Sequence, residues 1–139
     1  MSVLNKMKLT ILAKSQNESF ARSTVAAFFA QINPTLEQIN DIKTAVSEAV
    51  TNCIVHGYKG EDGNIDISAE LTENSVTVKI TDYGAGIADV NKAMEPFFTT
   101  VSTGERSGIG FTVMQAFCDE VDVTSEPGNY TTVKLTKAV

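Results

Sequence analysis

The chain has 139 residues, 42% of them hydrophobic and 20% charged, with a formal net charge of -6. That is one domain able to bury its own core, so the sequence predicts a single unit over 1–139 rather than a disordered or staple-dependent chain. The acidic balance without a basic run argues against direct nucleic-acid binding, and no stretch is long and apolar enough for a membrane span. MSVLNKMKLT lacks the apolar segment of a signal peptide, and Cys53 and Cys118 sit at apolar helical positions outside any C-x-x-C. Together these features predict a cytoplasmic protein with structural thiols.

Met7, Leu9, Ile11 and Ala13 alternate with polar residues or flank Leu12, which predicts a strand over 7–13. Ser15-Gln-Asn-Glu18 reads as a capping box opening a helix through Phe20, Ala21, Ala27 and Phe28, which Pro34 stops. Thr35-Leu-Glu-Gln38 is a second capping box, heading a helix over about 36–56 with Gly57 as its left-handed terminator. Its apolar stripe is Ile39, Ile42, Val46, Ala49, Val50 and Cys53, while Glu48 and Asn52 lie at the edge of that stripe. Read alone, the row Glu48, Asn52, His56 fits a solvated face as well as a functional one. Zinc is disfavoured because His56 is the only histidine.

Two alternating runs, 65–71 and 76–80, form a hairpin around Glu73-Asn74. DYGAGI follows directly. Its two glycines suit a tight turn, or the approach of a flat ligand to backbone beside Asp82, whose carboxylate can accept from an amino group such as that of adenine. Residues 88–94 can make a short helix and 95–107 read as a loop. GIGFTVMQAFCDE opens with glycines at a helix N-terminus, a ready anion site, and strands over about 121–125 and 131–136 close the chain. The order predicts an α+β, two-layer sandwich: a mostly antiparallel five-stranded sheet with three main helices on one face. Neither a P-loop nor a dinucleotide fingerprint is present.

The succession Glu48-x-x-x-Asn52, Asp82-x-Gly84-x-Gly86, Pro96-Phe-Phe-Thr-Thr100 and Gly108-x-Gly110 resembles the N, G1, F and G2 boxes of the GHKL (Bergerat-fold) ATP-binding family. SQNESFAR, SEAVTN, HGY, FFTT, ERSG and the ending TT-x-x-LTK are more closely similar to its anti-sigma factor serine kinases, along nearly the whole chain. The resemblance implies a homodimer that holds a sporulation sigma factor, sigma F, and uses ATP to phosphorylate a serine of an anti-anti-sigma factor, leaving ADP. It implies Asn52 as the Mg²⁺ ligand, Glu48 as general base, and Asp82 as acceptor of the adenine amino group. Gly84 and Gly86 would admit base and ribose, and Gly108 and Gly110 would offer N–H groups to the phosphates. Residues 98–107, with Thr99, Thr100 and Arg106, would form a lid, Arg106 reaching the γ-phosphate or the protein substrate. Thr132 would help hold adenine, and Asn17, Glu18 and Arg22 would meet the sigma factor. Tyr130-Thr131-Thr132 departs from the Gly-Thr-Thr common in the family, with Gly128 two residues earlier. The resemblance also leaves open an ATP-binding domain of a sensor histidine kinase, a kinase serving a different, general-stress sigma factor, or a binder that uses ATP only as a conformational ligand.

Overall fold

The computed structural model describes residues 2–94 and 107–139. Five strands, β1 (Asn5–Leu12), β2 (Asn64–Leu71), β3 (Ser75–Asp82), β4 (Glu120–Glu126) and β5 (Tyr130–Ala138), form one sheet of order β1-β2-β3-β5-β4. Every neighbouring pair is antiparallel. Between them run helices α1 (Gln16–Phe29), α2 (Leu36–Asn52), the short α3 (Val90–Ala93) and α4 (Ser107–Phe117).

The period-two pattern decides which sheet face is covered. Ile65, Ile67, Ala69 and Leu71 of β2, Val76, Val78 and Ile80 of β3, and Val133 and Leu135 of β5 are all buried on one side. Helix α2 lies at the centre of the opposing layer, packed against both α1 and α4. It contributes Ile42, Ala45, Val46, Ala49 and Val50, all fully buried, with Ile39 half-buried at the margin of the same stripe. The other sheet face carries Lys8, Ser68, Lys79 and Lys134 in lateral register. This is the two-layer sandwich expected. Among the described residues no helix is long and apolar enough to cross a membrane.

Helix ends show where local pattern and tertiary context agree. Thr35 caps α2 as expected: its hydroxyl accepts from Gln38 N–H at 3.1 Å and Gln38 Oε1 accepts from Thr35 N–H at 2.7 Å. Ser15 does not cap α1; its backbone is already helical and its side chain makes no cap bond. A cap hydroxyl reaches the next turn only from extended backbone, so this capping-box expectation is corrected. Lys137 joins three elements at the far edge, 3.0 Å from Asp41 of α2 and donating at 2.8 Å to the Phe117 carbonyl that ends α4.

Candidate functional site

Helix α2 does not run on regularly to residue 56. After Asn52 the chain widens into a π-turn, Cys53–Gly57, with Tyr58 N–H donating to the Cys53 carbonyl at 2.9 Å. Such wide turns displace the residues that follow from the α-helical phase and are frequent at functional sites. Gly57 is therefore not the left-handed terminator expected; Lys59 and Gly60 have the positive φ values, 53° and 83°. The widening carries Gly57 onto the end of β3. A Cβ on Gly57 would stand 2.5 Å from Asp82 Oδ1, and one on Gly84 would stand 1.9 Å from the Gly57 carbonyl oxygen. That oxygen accepts from Ala85 N–H at 2.8 Å.

The next residues of the turn are tied to the β4–β5 hairpin. Gly128 N–H donates to the Ala85 carbonyl at 2.7 Å, and Ile87 N–H to Ser125 Oγ at 2.7 Å. Gly86, at φ 73°, passes so near Glu126 and Pro127 that a Cβ would lie 2.5 Å from the Glu126 carbonyl oxygen. The glycines of D-x-G-x-G thus admit the protein's own backbone at close range. A second brace lies outside this turn. The Tyr58 hydroxyl accepts from Tyr83 N–H at 2.8 Å and donates to the Asn64 carbonyl, while Tyr83 Oη donates to Asp66 Oδ2 at 2.6 Å.

At the centre stands Asp82, 4% exposed although it is ionisable. Burial pushes its carboxyl above the ordinary range; the Gly84 N–H, 3.0 Å from Oδ1, and the Cys53 thiol pull it back down. Burial, with the Asp82 charge beside it, also pushes the Cys53 thiol well up. Glu48 and Asn52 are half-buried one turn apart on α2, and His56, also half-buried, lies in the π-turn. The Asn52 amide nitrogen is buried with no partner among the described residues. A buried amide without a partner and a buried carboxylate are each costly, and a polar ligand can offset that cost.

The threonine expected beside adenine needs correction. In the β3–β5 register Asp82 stands opposite Thr131, and Thr81 opposite Thr132. Thr131 shares the covered face with Asp82 and is buried, its hydroxyl 2.8 Å from Ser125 Oγ. Thr132 points to the uncovered face, its hydroxyl 2.8 Å from that of Thr81. A one-residue step along a strand reverses the face. Gly108 and Gly110 fall in the first turn of α4, where backbone N–H groups have no intrahelical acceptor. Pro96, Thr99, Thr100 and Arg106 lie outside the described residues.

On α1, Arg22 Nη1 pairs with Glu18 Oε1 at 2.7 Å and lies 3.5 Å from Ser47 Oγ of α2. Asn17 Nδ2 donates to the Leu12 carbonyl at 3.0 Å. These residues join the end of β1 and the face of α1 to the helix that carries Glu48. The contact that sequence reading missed is Gly57 against Asp82, which depends on a π-turn that no local pattern announces.

The profile of the histidine kinase-like ATPase domain matches residues 12–137. An anti-sigma F factor of Thermoanaerobacter sp. (strain X514) is 57% identical over 139 residues, covering 100% of this chain and 97% of that protein. Another, from Caldanaerobacter subterraneus subsp. tengcongensis, is 58% identical over 135 residues, covering 97% of this chain and 94% of that protein. Among solved structures, the RsbU and RsbW domains of a Mycobacterium tuberculosis protein match with a TM-score of 0.68 at 22% identity. That match covers 96% of this chain and 31% of the other, and it speaks for the fold alone. With that fold, the boxed turn around Asp82 and relatives matched end to end, the chain belongs to the histidine kinase-like ATPase family, in the branch of its anti-sigma F factor relatives.

Proposed function

We propose that this protein is an anti-sigma factor and protein serine kinase, which binds sigma F and phosphorylates a serine of its anti-anti-sigma antagonist at the expense of ATP. The observation that carries the reading is the buried Asp82 carboxylate, clamped between the end of α2 and the glycine turn. An ionised carboxylate only accepts hydrogen bonds, so it suits the 6-amino group of adenine and repels the carbonyl that guanine has there. Relatives matched along nearly their whole length carry the anti-sigma name, which favours this reading over the ATP-binding domain of a sensor histidine kinase.

The residues present fit ATP with Mg²⁺. The Asn52 amide nitrogen, buried and without a partner among the described residues, is a donor for a bound anion, which leaves its oxygen for the metal. Bound ATP supplies the γ-phosphoryl group, and Mg²⁺ screens its charge. Glu48, one helical turn before Asn52, takes the proton of the incoming serine hydroxyl. The first turn of α4, with Gly108 and Gly110, donates backbone N–H groups to the phosphates. Arg106, Thr99 and Thr100 belong to a lid over them, and Arg22 with Asn17 and Glu18 meets the sigma factor. The protein acts as a homodimer in the cytoplasm.

Transcription by RNA polymerase from a sigma F promoter tests the inhibitory half. The protein with ATP should silence it, and unphosphorylated anti-anti-sigma factor should restore it. Undiminished transcription at excess anti-sigma protein contradicts the reading.

A further inference from the structure

The β2–β3 ladder is interrupted directly beside Asp82. Ile65 stands opposite Asp82, so continued register would set Asn64 opposite Tyr83. Bonded and non-bonded pairs alternate along an antiparallel ladder. At the hairpin end Thr72 N–H donates to the Ser75 carbonyl at 2.9 Å, and alternation from that pair makes Asn64–Tyr83 a bonding position too. Tyr83 N–H goes instead to the Tyr58 hydroxyl at 2.8 Å, which donates in turn to the Asn64 carbonyl. A phenol oxygen is thus spliced into the ladder bond and holds the strand ends apart. Tyr58 is itself well anchored. Its N–H donates to the Cys53 carbonyl across the π-turn at 2.9 Å, and its ring fills the space over Gly63, where a Cβ would lie 2.3 Å from Cε1. The preceding carbonyl, that of Gly57, accepts from Ala85 N–H at 2.8 Å. Residues 57 and 58 therefore hold residues 85 and 83, on either side of the Gly84 whose N–H reaches Asp82 Oδ1 at 3.0 Å.

We infer that Tyr58 is a positioning residue for base recognition: its hydroxyl, inserted between Asn64 and Tyr83, sets the strand separation beside Asp82 and so the direction in which that carboxylate meets the 6-amino group of the nucleotide. This rests on the adenine role proposed above and names a residue that makes that role selective. Tyr58 acts through the backbone of Tyr83 and Gly84 rather than on the base. Without the hydroxyl, the freed N–H and carbonyl complete the ladder bond directly, which draws Tyr83 toward β2 and shifts Asp82 with it. A hydrogen bond weakens steeply with misalignment, so the shift acts on the 6-amino contact more than on the phosphates.

The test is calorimetric titration of the full chain, wild type, Tyr58→Phe and Asp66→Ala, with ATP and with inosine triphosphate, which carries a carbonyl in place of the 6-amino group. Tyr58→Phe should lower the ATP-to-inosine-triphosphate affinity ratio by roughly 3- to 30-fold, part of the worth of a hydrogen bond to a charged group. Asp66→Ala removes the outer bonds of the same network, from Tyr83 Oη at 2.6 Å and Thr10 Oγ1 at 2.8 Å, and leaves the inserted hydroxyl in place, so it should keep the wild-type ratio. A packing role for Tyr58 would weaken both nucleotides equally or leave both unchanged, and either result overturns the inference. An equal fall of the ratio in Asp66→Ala would mean general loosening of the strand ends and overturns it as well. Thermal melting checks that each variant is folded. If Tyr58→Phe does not melt cooperatively, Gly63→Ala, whose Cβ pushes the Tyr58 ring aside, decides by the same ratio. A wild-type protein that binds the two nucleotides alike overturns the adenine role itself, and this inference with it.

Discussion

Asp82→Asn separates binding from stability. In the folded protein the carboxyl is raised above its ordinary value by burial, with the Gly84 N–H and the Cys53 thiol offsetting part of that shift. A carboxyl raised on folding destabilises the protein at pH values above its folded pKa, and the penalty disappears as pH falls through the folded value toward the unfolded one. Above the folded pKa that penalty is present, so there the uncharged amide should leave the ligand-free protein as stable as wild type or more so. Ligand binding should move the other way. Asparagine can still accept from Gly84 N–H, but it offers no charge to an adenine amino group. A hydrogen bond to a charged group contributes about 1.5–3 kcal/mol. At 1.4 kcal/mol per decade that is a loss of roughly 10- to 150-fold in ATP affinity. Thermal melting from pH 4 to 8, paired with ATP titration, reads both effects. Unchanged ATP affinity, or affinity and melting temperature falling together, would refute the reasoning.

Three other perturbations probe separate parts of the site. Glu48→Gln should keep ATP affinity while slowing phosphotransfer by about 10²- to 10⁴-fold, the range for a lost general base, in a single-turnover assay. Gly84→Ala puts a Cβ 1.9 Å from the Gly57 carbonyl oxygen, so it should destabilise the fold by about 1–3 kcal/mol or more in urea unfolding, where Gly60→Ala has space but an unfavourable positive φ. Arg22→Ala removes an ion pair that is a third exposed and worth under about 1 kcal/mol, so melting and ATP affinity should barely change while sigma capture in a pull-down weakens.

Much of this architecture was legible because it follows from periodicity. The alternating runs at 65–71 and 76–80 have the same faces in the sheet as in the string, and the Thr35–Gln38 box sits on extended backbone where it works. Ser15 failed because composition does not reveal backbone conformation, and a serine already in helical φ, ψ has no reach to the next turn. Thr132 failed because Thr131 and Thr132 are chemically equal in sequence; only the register against Asp82 distinguishes them. The π-turn was invisible for a deeper reason. It is stabilised by where Gly57 and Gly84 meet, a contact between segments far apart in the chain, and no local pattern encodes it. The box glycines suit a tight turn or a ligand's approach in sequence; the structure adds that a Cβ on Gly84 or Gly86 would meet Gly57, Glu126 and Pro127.

The central claim is that this site transfers a phosphoryl group from ATP to a serine of a protein antagonist. The most direct measurement incubates the protein with γ-labelled ATP, Mg²⁺ and purified anti-anti-sigma factor, and maps the label by its acid and base stability and by peptide mass. An acid-stable phosphoserine should appear on the antagonist, its formation slowed by about 10²- to 10⁴-fold in Glu48→Gln. An unlabelled antagonist, or an acid-labile label on His56 of the protein itself, would contradict it.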